Sequence, residues 1–310
     1  MSEKIVIGSR GSDLALWQAN FVKRELQKAH KGLKVEIKLI KTKGDKILNV
    51  ALSKIGDKSL FTKELETALL NGEIDIAVHS LKDLQTSLPK GLKLAAVTKR
   101  HDVEDVLIAR KKKTTIESLP EGATVATGSL RRKAQLKHIR PDIKVVDLRG
   151  NVPTRIDKFL KSKWDAIILA RAGVERLKLK KHISSIIPKE TILPAVGQGA
   201  LGIEISSKNK FAEKIVKVLH NENTYCAVLA ERALLKTLEG GCQVPIGAFA
   251  EVRSNGLYLD GLVASLDGDT VFRAKIRGKK ADAELLGKSL AKALLKAGAR
   301  KVLKEIYERN

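Results

Sequence analysis

Between residues 4 and 205 the chain repeats one local pattern: a short apolar run, a turn containing Gly or Ser, then an amphipathic stretch. Runs at 4–8, 35–40, 74–78, 92–97, 103–109, 123–126, 143–148 and 166–169 have the length of strands. Stretches at 13–29, at 62–71, from the pair Arg131-Arg132 to the stop at Pro141, and from Pro153 onward read as helices, and a proline just inside a helix start costs no hydrogen bond. Strands alternating with helices specify α/β sheets. Residues 103–109 open a second such unit, and the run at 201–205 returns to the sheet of the first, which makes the first domain discontinuous. Past it, 211–219 and 226–238 read as helices. Strands near 246–252, 257–264 and 270–276 are joined by the turn pairs Asn255-Gly256 and Asp267-Gly268, and a helix from 281 is interrupted near Gly298.

In open α/β sheets ligands bind outside the carboxyl ends of the strands. Here those ends are basic. Gly8-Ser9-Arg10-Gly11-Ser12 follows the first run, Thr127-Gly128-Ser129-Leu130-Arg131-Arg132 the run at 123–126, Arg149-Gly150-Asn151 with Arg155 the run at 143–148, and Arg171-Ala172-Gly173 with Arg176 the run at 166–169. A Gly/Ser turn before a helix start is a ready anion site, although Ser12 or Asp13 acting as an ordinary cap explains the first one equally well. Guanidinium binds carboxylate through two parallel hydrogen bonds, so arginines repeated at successive strand ends imply a ligand with several anionic groups.

The run at 74–78 delivers His79-Ser80-Leu81-Lys82-Asp83 to such an end. Asp83 is the carboxylate best placed for acid–base or charge-stabilising chemistry; a helix cap or an ion pair with Lys82 is the plainer alternative. Cys242 sits in Glu239-Gly240-Gly241-Cys242-Gln243-Val244-Pro245, on a loop between a helix and a strand. It is either a reachable nucleophile or a buried thiol. Cys226, sixteen residues earlier, makes no metal-ligand spacing with it and reads as a core thiol. Residues 41–61, rich in Lys and Gly, read as a basic loop.

Lys and Arg total 59 against 35 Asp and Glu, a net charge of +24 in 310 residues. Such a field attracts anions. Nucleic acid is one candidate partner, but at 4% aromatic residues the chain has few platforms for stacking bases, and it shows no zinc-finger, RNP or helix-turn-helix signature. No run approaches the roughly 18 apolar residues of a membrane span, and the first residues lack an apolar signal region, so a cytoplasmic protein is expected. A non-catalytic binder of an anionic ligand accounts for the arginines. It does not account for Asp83 beside Lys82 or for a cysteine on a Gly-Gly loop.

The segments Gly8-Ser9-Arg10, His79 to Asp83, Gly128 to Arg132, Leu148-Arg149-Gly150-Asn151-Val152-Pro153-Thr154-Arg155, Gly197-Gln198-Gly199 and Glu239 to Cys242 occur in the order of the porphobilinogen deaminase (hydroxymethylbilane synthase) family. The chain closely resembles that family along essentially its whole length. The resemblance implies two periplasmic-binding-protein-like (type II) α/β domains, 1–99 with 200–217 and 100–199, plus a small C-terminal α+β domain, 218–310, with a three-stranded antiparallel sheet. It implies a transferase that condenses four porphobilinogen molecules head to tail with loss of ammonia, then releases linear hydroxymethylbilane for tetrapyrrole and haem biosynthesis. The cofactor it implies is a dipyrromethane primer held by a thioether, which by position falls on Cys242. Asp83 matches the catalytic aspartate. Ser80, Lys82, Thr127, Ser129, Arg131, Arg132, Arg149 and Arg155 match cofactor-binding positions. Arg10, Ser12, Arg149, Arg155, Arg176 and Gln198 match substrate-binding positions, and Lys54, Lys58 and Phe61 match a flexible active-site loop. Arg171 and Cys226 lie outside these motifs. The expected partner is the small acidic substrate alone, with no nucleic acid, membrane or metal, and the expected state is a monomer.

Overall fold

The computed structural model describes residues 4–42, 44, 62–239 and 244–308. Cys242 and the loop residues Lys54, Lys58 and Phe61 lie outside the described residues. The described residues divide into two compact units, one of those up to 101 together with 199–225, the other of 102–198 and those from 226 on.

The first unit is built on a five-stranded sheet in the order β2 (Lys34–Leu39), β1 (Lys4–Ser9), β3 (Ile76–Ser80), β10 (Leu201–Ser206), β4 (Leu92–Val97). β1 runs parallel to β2 and β3, and β10 is antiparallel to β3 and β4. Residues 201–205 therefore do return to the first sheet, as expected. Helix α1 (Asp13–Ala29) covers one face, and Ala19, Val22 and Leu26 join Ile5, Ile7, Ile76 and Ile203 in a fully buried core. Its start is capped by Ser12, whose hydroxyl accepts from the Ala15 amide at 3.4 Å. Helix α2 (Lys63–Leu70) packs Leu65 and Leu69 with Ile74 on the opposite face. β3 starts two residues later than the apolar run at 74–78. The Asp75 amide donates to Val6 O at 2.9 Å, but its carboxylate takes the place of a backbone acceptor, accepting from the Val6 amide at 2.8 Å and from Asn209 at 2.9 Å, and the strand begins at Ile76.

The second unit repeats that topology. Its five-stranded sheet has the order β7 (Lys144–Val146), β6 (Thr124–Ala126), β8 (Ala166–Ala170), β5 (Asp105–Ala109), β9 (Ser185–Ile187). β6 is parallel to β7 and β8, and β5 is antiparallel to β8 and β9. In each unit the fourth strand in the order is the antiparallel one, the arrangement of type II periplasmic-binding-protein-like α/β folds. β9 was not marked by any periodic run. It is an edge strand that pairs with β5 alone, and of its three residues only Ile187 is buried.

The same unit holds an antiparallel three-stranded sheet, β11 (Ile246–Arg253), β12 (Gly256–Ala264) and β13 (Val271–Gly278), in chain order. Gly256 and Gly268 take φ of +141° and +85° at the two turns, angles that other residues rarely adopt. Helix α8 (Ala283–Leu294) covers one face of this sheet, and Gly298 at φ +122° separates it from α9 (Arg300–Glu308), the interruption expected there. After the short helix α6 (Lys210–Val216), helix α7 (Glu222–Thr237) begins four residues before the expected 226, because Asn221 accepts from the Thr224 amide at 2.9 Å and caps an extra turn.

Glu231 on α7 is fully buried, and its carboxylate accepts from the amides of Gly197 and Ala250, both at 2.7 Å. One side chain thus ties the 194–199 segment to β11. Glu231→Ala strands two buried amides and is expected to cost about 3 kcal/mol or more. A lowered midpoint in urea unfolding measures that loss, and an unchanged midpoint contradicts it.

Candidate active site

In the first unit, parallel β1 and β3 lie side by side, so the residues that follow them share one edge of the sheet. Arg10 and Ser12 follow β1, and a 3₁₀ turn, Leu81–Asp83, follows β3 directly. Leu81 and Leu84 are buried, and the Leu81 amide donates to Ala200 O at 3.1 Å. Those two anchors turn Lys82 and Asp83 outward. Asp83 is exposed, and among the described residues nothing hydrogen-bonds or pairs with its carboxylate, so it is neither a helix cap nor a partner of Lys82. Ser80 accepts from Gln18 on α1 at 2.7 Å. His79 lies within 2.8 Å of the Glu204 carboxylate on β10, both of them buried.

In the second unit three parallel strands, β7, β6 and β8, present three basic ends at one edge. After β6, the Thr127 hydroxyl accepts from the Ser129 amide at 3.3 Å, and Ser129 caps helix α3 (Leu130–Ile139) through the Arg132 amide at 3.5 Å. A Cβ at Gly128 would lie 2.7 Å from Leu148 O, so only glycine allows the ends of β6 and β7 to meet. After β7, Arg149 is half-buried. Burial pushes its guanidinium down from the ordinary range while nearby Asp147 opposes that shift, and its Nε is buried with no acceptor among the described residues. Arg155, on helix α4 (Val152–Lys161), donates from Nε to Gly150 O at 2.6 Å. After β8, Arg176 ends helix α5 (Arg171–Arg176), and burial lowers its guanidinium to about 10.

Arg131 and Arg132 point inward rather than outward. Both are 5% exposed, and both reach the fully buried carboxylate of Asp105 at the start of β5. Arg131 Nη2 lies 2.9 Å from Oδ2 and Arg132 Nη2 2.7 Å from Oδ1. Their other Nη groups donate to Leu193 O at 2.8 Å and Ile168 O at 3.1 Å. Gln198, also buried, donates to Val103 O at 2.6 Å and to Asp105 Oδ1 at 2.9 Å. Burial alone would raise the Asp105 carboxyl, but the two guanidiniums outweigh it and hold the group well below the usual carboxylate range. Arg171, set apart from the motif residues, pairs with Asp102 at 2.9 Å and Glu175 at 3.1 Å. It serves the fold.

Asp105, Gln18, Glu204 and Glu231 are site-shaping residues that the sequence did not mark. Each is a single polar residue in an otherwise apolar or helical stretch, and its partner is 26 or more residues away in the case of Asp105 and 62 away in the case of Gln18.

Residues 5–214 match the family model described as porphobilinogen deaminase, dipyromethane cofactor binding domain, and residues 225–296 match the porphobilinogen deaminase C-terminal domain. The chain belongs to the porphobilinogen deaminase family. It is 51% identical over 306 residues to the porphobilinogen deaminase of Carboxydothermus hydrogenoformans, covering 99% of this chain and 98% of the relative. Identity is 52% to that of Prochlorococcus marinus strain MIT 9312, covering 98% and 97%, and 48% to that of Chloroherpeton thalassium, covering the whole of both. Among solved structures, a methionine-binding protein aligns with 70% of this chain and 88% of its own at 15% identity and a TM-score of 0.44.

Porphobilinogen deaminases are transferases, the hydroxymethylbilane synthases of tetrapyrrole biosynthesis. The strand-end residues of this chain fit a dipyrromethane, whose rings carry carboxylates. Among the described residues, Arg149 has a buried Nε with no acceptor, and Arg131, Arg132 and Asp105 together carry one positive charge that nothing else compensates.

Proposed function

We propose that Asp83 manages the charge that develops on the reacting pyrrole of porphobilinogen, while the strand-end arginines hold its carboxylates. The observation that carries this is the outward-turned Asp83 carboxylate, anchored on both sides by buried leucines and without a partner among the described residues. An exposed carboxylate held on so short a turn is free to accept a hydrogen bond from a substrate N–H. As ammonia leaves the substrate's aminomethyl carbon, positive charge spreads into the ring, and a fixed anion stabilises that charge more than it stabilises the neutral substrate.

When bound through Cys242, the dipyrromethane supplies the primer that the incoming pyrroles extend. Thr127, Ser129, Arg131, Arg132, Lys82 and Ser80 would hold it. Arg10, Ser12, Arg149, Arg155 and Arg176 take the acetate and propionate of the substrate. Gln198 acts in this arrangement through Asp105, to which its amide nitrogen already donates.

The same assignment makes the chain a cytoplasmic monomer that binds a small acidic substrate and not nucleic acid. Its arginines gather at strand ends, where a carboxylate fits, and among the described residues no helix is long and apolar enough to cross a membrane. The matched family models, together with the separate sheet of β11–β13, support a division into domains at 1–99 with 200–217, 100–199 and 218–310.

Arg149→Leu tests the carboxylate assignment. Loss of a charge-assisted pair of hydrogen bonds is worth about 1.5–3 kcal/mol, so KM for porphobilinogen should rise by about 10- to 100-fold in whatever loaded enzyme forms. Native KM in a loaded Arg149→Leu enzyme removes Arg149 from the site.

A further inference from the structure

Arg131 and Arg132 occupy the first turn of α3, whose first turn contains no acidic residue. Cations there oppose the positive end of the helix dipole. They are also nearly buried, and the single carboxylate between them leaves the cluster with one net positive charge. An uncompensated buried charge costs several kcal/mol. A cluster that served stability alone would be balanced, or apolar, since well-packed apolar residues often replace a buried ion pair without loss. A helix rule and a burial rule are broken at one place, and such local violations concentrate at functional sites. The missing component is an anion.

Consecutive helical residues diverge by about 100° around the axis, yet both guanidiniums converge on Asp105. The carboxylate divides its oxygens between them, Oδ2 to Arg131 and Oδ1 to Arg132, and Oδ1 also takes Gln198. Leu193 O and Ile168 O fix the far side of each fork. The Leu193 carbonyl is itself held by Gln135 Nε2 at 3.1 Å, while Gln135 Oε1 accepts from the Leu193 amide at 2.7 Å. Every group that orients the two guanidiniums is therefore either Asp105 or a backbone carbonyl.

We propose that Asp105 is the positioning residue of the arginine cluster: its buried carboxylate sets the orientation of Arg131 and Arg132 and leaves the cluster one positive charge, which a carboxylate of the bound dipyrromethane completes. This rests on the assignment of Arg131 and Arg132 to cofactor binding made above. Asp105 touches neither cofactor nor substrate, and acts only through the arginines and Gln198.

Asp105→Asn is nearly isosteric, keeps one acceptor oxygen and removes the charge. The native protein, Asp105→Asn and Arg131→Leu are purified in parallel, their covalently loaded fraction is read from intact mass, and KM and kcat for porphobilinogen are measured on what is loaded. The loaded fraction of Asp105→Asn should fall by about tenfold, the effect of one misplaced charge-assisted hydrogen bond. In its loaded remainder KM for porphobilinogen should stay close to native, because the substrate's carboxylates are held by other arginines. A lowered melting temperature with full loading marks a purely structural residue and overturns the inference. If Asp105→Asn does not accumulate as folded protein by circular dichroism, Asp105→Glu decides. It keeps the charge and shifts the carboxylate by one methylene; reduced loading supports the inference and full loading overturns it. Normal loading of Arg131→Leu would instead defeat the underlying assignment. Failure of Arg131→Leu beside full loading of Asp105→Asn would defeat the role of Asp105 alone.

Discussion

Asp83→Asn should yield a folded, cofactor-loaded protein whose kcat is lower by about 10³-fold, the range produced when a group stabilising transition-state charge is removed. Asparagine keeps the shape of the side chain and an oxygen that accepts a hydrogen bond, but not the negative charge. Because Asp83 is exposed and bonds to nothing among the described residues, its replacement breaks no native contact. Stability should then stay within about 0.5 kcal/mol of the native protein. KM should change little, since the substrate's carboxylates are held elsewhere. Steady-state turnover, thermal unfolding and intact mass on one preparation separate the three quantities. Turnover near the native rate would remove Asp83 from the chemistry, and loss of the loaded mass would make it a cofactor residue instead.

The second large effect concerns the two cysteines. Cys226 lies on α7 and is 7% exposed, so its thiol cannot accept a bulky group without unfolding part of the helix's packing. Cys242 stands on the Gly-Gly segment. The purified chain should exceed its sequence mass by two linked pyrrole units, and peptide mapping should place them on Cys242. Cys242→Ala should have the bare sequence mass and no measurable turnover, because the thioether has no sulfur to form on. Cys226→Ala should load and turn over normally, at a stability cost of about 1 kcal/mol for a small buried side chain. An unmodified native chain with full activity would defeat the tether, and modification of Cys226 would relocate it.

Much of the architecture was legible before any coordinates. Strands and helices of the α/β units fall within a few residues of the apolar runs and amphipathic stretches, α1 with the same bounds. The turn pairs Asn255-Gly256 and Asp267-Gly268 mark their hairpins because a positive φ at a tight turn demands glycine. Boundaries shifted where a side chain stood in for backbone pairing. Asp75 delays β3, and Asn221 extends α7 by a turn. Neither effect shows in hydrophobic periodicity.

At the site, the sequence by itself determined the chemistry on offer: arginines at successive strand ends, a carboxylate after β3, and a cysteine beside two glycines. Local order suffices for that, since a strand, its turn and the next helix start are contiguous in the chain. Only the tertiary structure decided how those side chains are used. It turned Asp83 outward by burying Leu81 and Leu84, left Arg149 Nε without an acceptor among the described residues, and drew Arg131, Arg132 and Gln198 inward onto Asp105. Arg131 and Arg132 are buried against a carboxylate 26 and 27 positions away while Arg149 stays half-buried, because burial and charge pairing depend on residues distant in the chain that only the packed sheet brings into contact.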